Sequence, residues 1–149
     1  PKDIYLRPAN LFVSTFIGRS NVLKGKLVVK NGATFMKIGS YEAEMTNVRP
    51  EYAKDQDIII SVRPEELLMS KERTTGLKAV VDDSVFLGLN THYFMHLEDG
   101  SEVESIQEST IDSIIPSGSE INLTINTNKV NLFTEDGSVN ILTGVRNDL

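Results

Sequence analysis

The sequence predicts a mainly β protein of two β-rich halves, and three observations carry that prediction. Apolar residues alternate with polar ones in repeated short runs, as in Ile121, Leu123 and Ile125, which is the two-residue period of a half-buried strand. Asn31-Gly32, Asp99-Gly100 and Asp136-Gly137 are two-residue turns of the kind that joins antiparallel strands. Between the halves, Asp57-Ile-Ile-Ile-Ser-Val-Arg-Pro-Glu-Glu-Leu-Leu-Met69 reads as a buried strand with Ile58, Ile60 and Val62 on one face, running into a helical turn. Pro64 suits the first position of that turn, Glu65 and Glu66 sit at its positive end, and the proline holds Arg63 extended. Regular short strands with little helix point to a small barrel or sandwich.

Taken in order, residues 1–18 form the one amphipathic helix. Pro8 falls in its first turn, Gly18 at its stop, and Leu11, Phe12, Val13, Phe16 and Ile17 make a wide apolar face. Such a face calls for a large packing partner. After Asn21 the strand pattern begins, with Leu23, Leu27 and Val29 alternating, Phe35 to Ile38 returning, and residues 41–46 half-exposed. Residues 47–56 read as a polar loop. Val48-Arg49-Pro50-Glu51 there repeats the letters of Val62-Arg63-Pro64-Glu65, but with no strand before it and no apolar turn after it the copy reads as coincidence. In the second half, residues 77–87 form a long strand bulged at Asp82-Asp83-Ser84. Strands follow at 90–97, 102–107 and 120–126, then Val130, Leu132 and Phe133 precede the last turn, and residues 139–142 close the chain. The halves are about 19–69 and 74–149.

Composition narrows the function. With 149 residues the chain can bury a core, and the absence of cysteine excludes disulfides, thiolate metal sites and cysteine nucleophiles. The net charge of −6 disfavours a phosphate backbone as partner. No apolar run reaches the roughly 18 residues of a membrane span and no signal peptide is visible. A chain that begins at Pro1 is expected to be a piece of something longer.

The search for chemistry gives little. Ser20 stands five before Gly25-Lys26, where a phosphate-binding loop needs glycine, and Leu27 follows. His92 and His96 would share a metal on a helix, but on a strand they lie on the order of 13 Å apart. The acid pairs Asp82/Asp83, Glu98/Asp99 and Glu102/Glu104 lack calcium-loop spacing and read as solvated turn acids. Asn122-Leu123-Thr124 matches the glycosylation acceptor but lies in a strand. Acidic strands bearing Tyr41, Tyr93 and Phe94 could hold a polyamine through carboxylates and aromatic faces.

Four stretches carry a resemblance. Residues 1–18, Ile60-Ser-Val-Arg-Pro-Glu-Glu-Leu67, Val85-Phe-Leu-Gly88 and Lys129-Val-Asn-Leu-Phe-Thr-Glu-Asp-Gly137 resemble, in order, the end of the ATPase domain and the accessory domain of import ABC transporter ATP-binding subunits. Thr91-His-Tyr-Phe-Met-His-Leu-Glu-Asp-Gly100 and the 111–116 spacer look most like the spermidine/putrescine importer. The resemblance implies a TOBE-type, OB-like or MOP-like β-barrel over residues 19–149, with residues 1–18 as a helix left over from the ATPase domain. It implies regulation and dimer contact in a polyamine importer, cytoplasmic and peripheral to the inner face of the membrane. The partners would be the upstream ATPase domain, a second copy and the permease subunits, with no nucleic acid. ATP and magnesium belong to the parent's upstream domain, so no cofactor, metal or catalytic residue is expected in this stretch.

The residues singled out as structural or interface groups are Arg63, Pro64, Glu65, Phe12 and Phe16. Arg63 is expected to tie the strand end to a carboxylate or to carbonyls, while Phe12 and Phe16 offer a face for self-association. Two other functions remain open: an oxyanion-sensing barrel, for which Ser61, Ser84 and Lys78 are too scattered to nominate, and an oligonucleotide-binding barrel, which the acidic charge disfavours.

Overall fold

The computed structural model describes residues 7–12, 19–70, 76–109 and 114–146. Its strands are β1 (Arg7–Pro8), β2 (Asn21–Lys30), β3 (Ala33–Ile38), β4 (Tyr41–Met45), β5 (Gln56–Val62), β6 (Leu67–Ser70), β7 (Leu77–Leu87), β8 (Asn90–Leu97), β9 (Glu102–Glu108), β10 (Glu120–Ile125), β11 (Asn131–Thr134) and β12 (Val145–Arg146). Single 3-10 turns stand at Pro50–Tyr52 and Pro64–Glu66.

The chain forms two compact units, but they are not sequential halves: one comprises residues 1–62 and 127–149, the other residues 63–126. The first holds a five-stranded sheet in the order β11-β5-β2-β3-β4, the second one in the order β6-β10-β7-β8-β9. The plan is the same in both. A three-stranded meander is followed by a fourth strand antiparallel to its first, and a fifth strand pairs with the fourth. In chain order the repeats are β2 to β6 and β7 to β11, yet β6 pairs with β10 and β11 with β5. Each repeat therefore gives its fifth strand to the other unit. Ile58, Ile60, Val62 and Leu67 recur 63 residues later as Ile121, Leu123, Ile125 and Val130, all eight buried. In each sheet a leucine of the first strand, Leu23 or Leu77, stands opposite the central residue of that set, Ile60 or Leu123.

The core follows the strand period. Leu27, Met36, Ile58, Ile60 and Phe133 are fully buried in the first unit, and Leu67, Val81, Met95, Val103 and Leu123 in the second. Asn31 and Gly32 both have positive φ (51° and 81°), the backbone that a two-residue hairpin matched to strand twist requires. The bulge expected near Asp82 is present as a register shift between Val81 and Asp83.

The helix expected over residues 1–18 meets a correction at its start. Arg7 and Pro8 are a buried strand paired in parallel with β12, and the Arg7 N–H donates to Gly144 O at 3.1 Å. Among the described residues of that stretch the backbone turns helical at Leu11 and Phe12, and residues 1–6 and 13–18 lie outside the described residues. A pairing partner 138 residues away in sequence outweighs the local helical pattern, because Pro8 offers no N–H and suits a strand edge as well as a first helical turn.

Candidate functional site

The chain enters the second unit at Arg63-Pro64-Glu65, inside the stretch to residue 69 that the sequence reading assigned to the first half. Arg63 is extended (φ −69°, ψ 150°), Pro64 opens the 3-10 turn, and the Leu67 N–H closes it on Pro64 O. Pro64 is buried, whereas Arg63 and Glu65 are exposed. The neighbouring Glu66 anchors the turn. Its carbonyl accepts the Asn126 N–H at 3.0 Å and its carboxylate the Asn126 side-chain amide at 2.9 Å. Entry and exit of the second unit are thereby pinned together. Among the described residues the exposed Arg63 guanidinium makes no hydrogen bond or ion pair, so the expected tie has no counterpart there.

The copy at residues 48–51 is not coincidence in structure. Arg49 has the same extended backbone (φ −63°, ψ 135°), Pro50 opens a 3-10 turn, and Ala53 N–H returns to Pro50 O. Here the arginine does bind. Its guanidinium donates to Asn140 O, lies 5.0 Å over the Tyr52 ring and 3.9 Å from the Glu51 carboxylate, and its backbone N–H donates to Ile141 O at 2.8 Å. The repeated letters were a usable signal. What differs is that the terminal segment lies within reach of Arg49.

Each sheet is closed by side chains or by a further segment. In the second unit the fully buried Ser105 donates to Leu67 O at 2.7 Å, and Gln107 donates to the same carbonyl at 3.3 Å, joining β9 to β6. In the first unit residues 140–142 fill that role, bridging Phe133 to Asn140 and Val48 to Leu142. The N-terminal segment locks onto them. Arg7, 5% exposed, donates to Val130 O, to Asn131 Oδ1 at 3.1 Å and to Asn128 O at 3.0 Å. Asn140 donates to Pro8 O at 2.8 Å and to Asn131 Oδ1 at 3.1 Å. Sequence reasoning missed this network, because nothing local links Arg7 to asparagines more than 120 residues on. Leu11 continues the contact, with its N–H on Gly137 O at 2.9 Å. Phe12 is then 76% exposed, while Phe16 lies outside the described residues.

The remaining candidates lie on several different strands. His92 pairs with Glu104 and His96 with Asp82, each at 2.8 Å, as separate cross-strand contacts, and no group of His, Cys, Asp or Glu among the described residues is placed to hold a metal. Tyr41 belongs to the first unit and Tyr93 and Phe94 to the second. Tyr93 is buried with its hydroxyl accepting the Ile115 N–H, whereas Phe94 stacks on His92 at 4.5 Å. Ser61, Ser84 and Lys78 are likewise divided between the units. Asn122 is buried in β10. No helix among the described residues is long and apolar enough to cross a membrane.

This is an OB/MOP-like β architecture. It superposes on the cytoplasmic molybdate-binding protein ModG with a TM-score of 0.58 over 76% of this chain and 95% of that one, at 17% identity, a likeness of fold. Residues 60–133 match the family model of the TOBE domain, a stretch that runs from the end of β5 to β11 and so includes the whole second unit with both crossing strands. By that match the chain contains a TOBE domain. It is 55% identical over 149 residues to the Fe(3+) ions import ATP-binding protein FbpC of Fusobacterium nucleatum, covering 99% of this chain and 39% of the relative. It is 35% identical over 103 residues to the spermidine/putrescine import ATP-binding protein PotA 1 of Pseudomonas aeruginosa, covering 68% of this chain and 28% of the relative. With PotA of Ruegeria pomeroyi it shares 31% over 114 residues, covering 76% and 31%. The chain thus spans well under half the length of these relatives. The polyamine subunits match less well than the expectation had it.

Proposed function

We propose that this chain is the regulatory and dimer-contact domain of the ATP-binding subunit of an importer, and that the cargo is ferric ion. The observation that supports it is the 55% identity maintained over 99% of the chain to a protein named for Fe(3+) import, against 35% and 31% to those named for spermidine/putrescine. ATP and magnesium would be bound by the rest of the subunit, and the partners would be that ATPase domain, a second copy and the permease. The subunit would work in the cytoplasm against the inner face of the membrane. This stretch would not hydrolyse ATP. Arg63, exposed at the entry to the second unit, fits an interface residue better than a structural one.

The test is uptake of radiolabelled ferric ion and of radiolabelled spermidine by cells lacking the parent subunit. Loss of ferric uptake with spermidine uptake intact is expected. Loss of spermidine uptake alone would return the cargo to polyamine, and loss of neither would remove the transport reading. Arg63→Ala should leave the melting temperature of the chain unchanged while altering transport regulation in the parent.

A further inference from the structure

The two units carry equivalent sheet faces of opposite charge. Phe35 and Phe94 hold the same place in the two meanders. Phe35 on β3 stands opposite Val28 of β2 and Glu44 of β4, and Phe94 on β8 stands opposite Asp83 of β7 and Glu104 of β9. Both rings are half-buried. By strand alternation each lies on the side of its sheet away from the core, which Leu27 and Met36 fill in one unit and Val81 and Met95 in the other.

Around Phe35 the face is basic. Lys24, Lys26 and Lys30 of β2 and Lys37 of β3 share it with Asp57, Glu42 and Glu44, for a formal +1. Lys30 lies 5.2 Å from the centre of the Phe35 ring and shares the Glu42 carboxylate with Lys37. At the equivalent positions of the second unit Val80, Val85 and His96 stand in place of Lys26, Lys30 and Lys37. The bulge between Val81 and Asp83 widens the difference. Its extra residue turns two consecutive acids to one face, where Asp82 bonds to His96 and Asp83 stands opposite Phe94. With Glu102, Glu104 and Glu120, five carboxylates share that face with one lysine, Lys78, for a formal −4 with histidine neutral.

Equivalent strands give the two faces a like form, so charge decides what each accepts. Two acidic faces repel, and so do two basic ones. An acidic face of one molecule and a basic face of another attract, with a phenylalanine at the centre of each, and sheets pack face to face at about 10 Å. Three strands ~4.8 Å apart and about seven residues at ~3.3 Å give roughly 330 Å² per face. One such contact covers about 650 Å², too little for a specific interface, whereas two cover about 1,300 Å², within the standard range. Area therefore favours a closed pair that makes the contact twice.

We propose that two copies of this chain pair reciprocally, the Phe35 face of each against the Phe94 face of the other. This deepens the dimer-contact reading above, rests on it, and names the surfaces that make the contact.

The test is sedimentation equilibrium of the 149-residue chain with two charge-reversed variants. Lys24→Glu with Lys37→Glu takes the Phe35 face to −3, and Asp83→Lys with Glu102→Lys and Glu120→Lys takes the Phe94 face to +2. None of the five side chains is buried. At low salt the native chain is expected at twice its 16.5 kDa, with a dissociation constant that rises about tenfold or more toward 0.5 M salt. Each variant alone should be a monomer, and an equal mixture of the two should restore the dimer, since both contacts then join opposite charges. That rescue also shows that both variants are folded. A native dimer that neither variant disturbs, or variants that stay monomeric when mixed, would overturn the proposal and spare the dimer-contact reading. Open-ended assembly of the native chain would overturn the closed pair. A native chain that stays monomeric at every concentration would remove both the proposal and the dimer-contact reading.

Discussion

Removing the Arg7 guanidinium tests whether the N-terminal segment is part of the first unit. Arg7→Met keeps the length and apolar bulk of the stem while deleting the donors to Val130 O, Asn131 Oδ1 and Asn128 O. A hydrogen bond from a charged donor contributes about 1.5–3 kcal/mol, and a buried acceptor left unpaired costs about 1–3 kcal/mol. Asn128 is exposed, so water replaces that bond and its contribution is small. The Asn131 side chain keeps Asn140 as a donor, which leaves Val130 O as the main orphan. Set against this, a buried arginine gives up a desolvation cost when it is removed. The expected net loss is about 2–4 kcal/mol, and for a chain of this size roughly 2–4 °C of melting temperature accompanies each kcal/mol. Chemical denaturation read by tyrosine fluorescence measures the free energy, and a thermal melt the shift. A loss under about 1 kcal/mol would refute the reasoning, since it would mean that β1 and its guanidinium merely rest on the unit.

Two further outcomes follow from the geometry. Gly25→Ala places a Cβ 2.5 Å from Ile60 Cδ1 and 2.7 Å from Lys37 O; the side chain can turn away but the backbone oxygen cannot, so a loss of about 1–3 kcal/mol is expected, and Ile60→Val should not rescue it in a double-variant denaturation series. The Asp136 carboxyl is held down to about 2 chiefly by the Ser138 N–H, then by the Ser138 and Thr134 hydroxyls. A group whose folded pKa lies below its ordinary value adds stability that is complete above about pH 4 and lost on descent toward pH 2. The melting-temperature gap between the native chain and Asp136→Asn should therefore close across that window, and a gap constant with pH would contradict the assignment.

Much of the fold was legible because strand period and turn chemistry are local. β7 and β8 begin and end where the alternation places them, and the bulge at Asp83 falls within the polar interruption that announced it. Two errors share one cause. The N-terminal helix was read through Arg7 and Pro8, and Arg49 was passed over in favour of Arg63, because in both cases the deciding partner, β12 or Asn140, arrives near the end of the chain. The exchange of fifth strands was equally invisible as pairing, although the 63-residue recurrence of Ile58, Ile60, Val62 and Leu67 marked the two repeats. Of the site residues, the chemistry of the Pro64 turn was readable from proline and acid at its start, whereas the closure of the sheets by Ser105 and by residues 140–142 depends on register alone.

The crossing of β6 and β11 also governs the order in which the molecule can be made. β5 finishes at Val62, but its second neighbour β11 ends at Thr134. At about 5–20 residues per second of synthesis, the outer edge of β5 stays unpaired for roughly 4–14 s after it has emerged. The second unit receives β6 beforehand and closes first. A free strand edge during that interval is a template for pairing with another nascent chain, so the first unit to be synthesised is the last to be completed, and its yield depends on how fast the second unit folds.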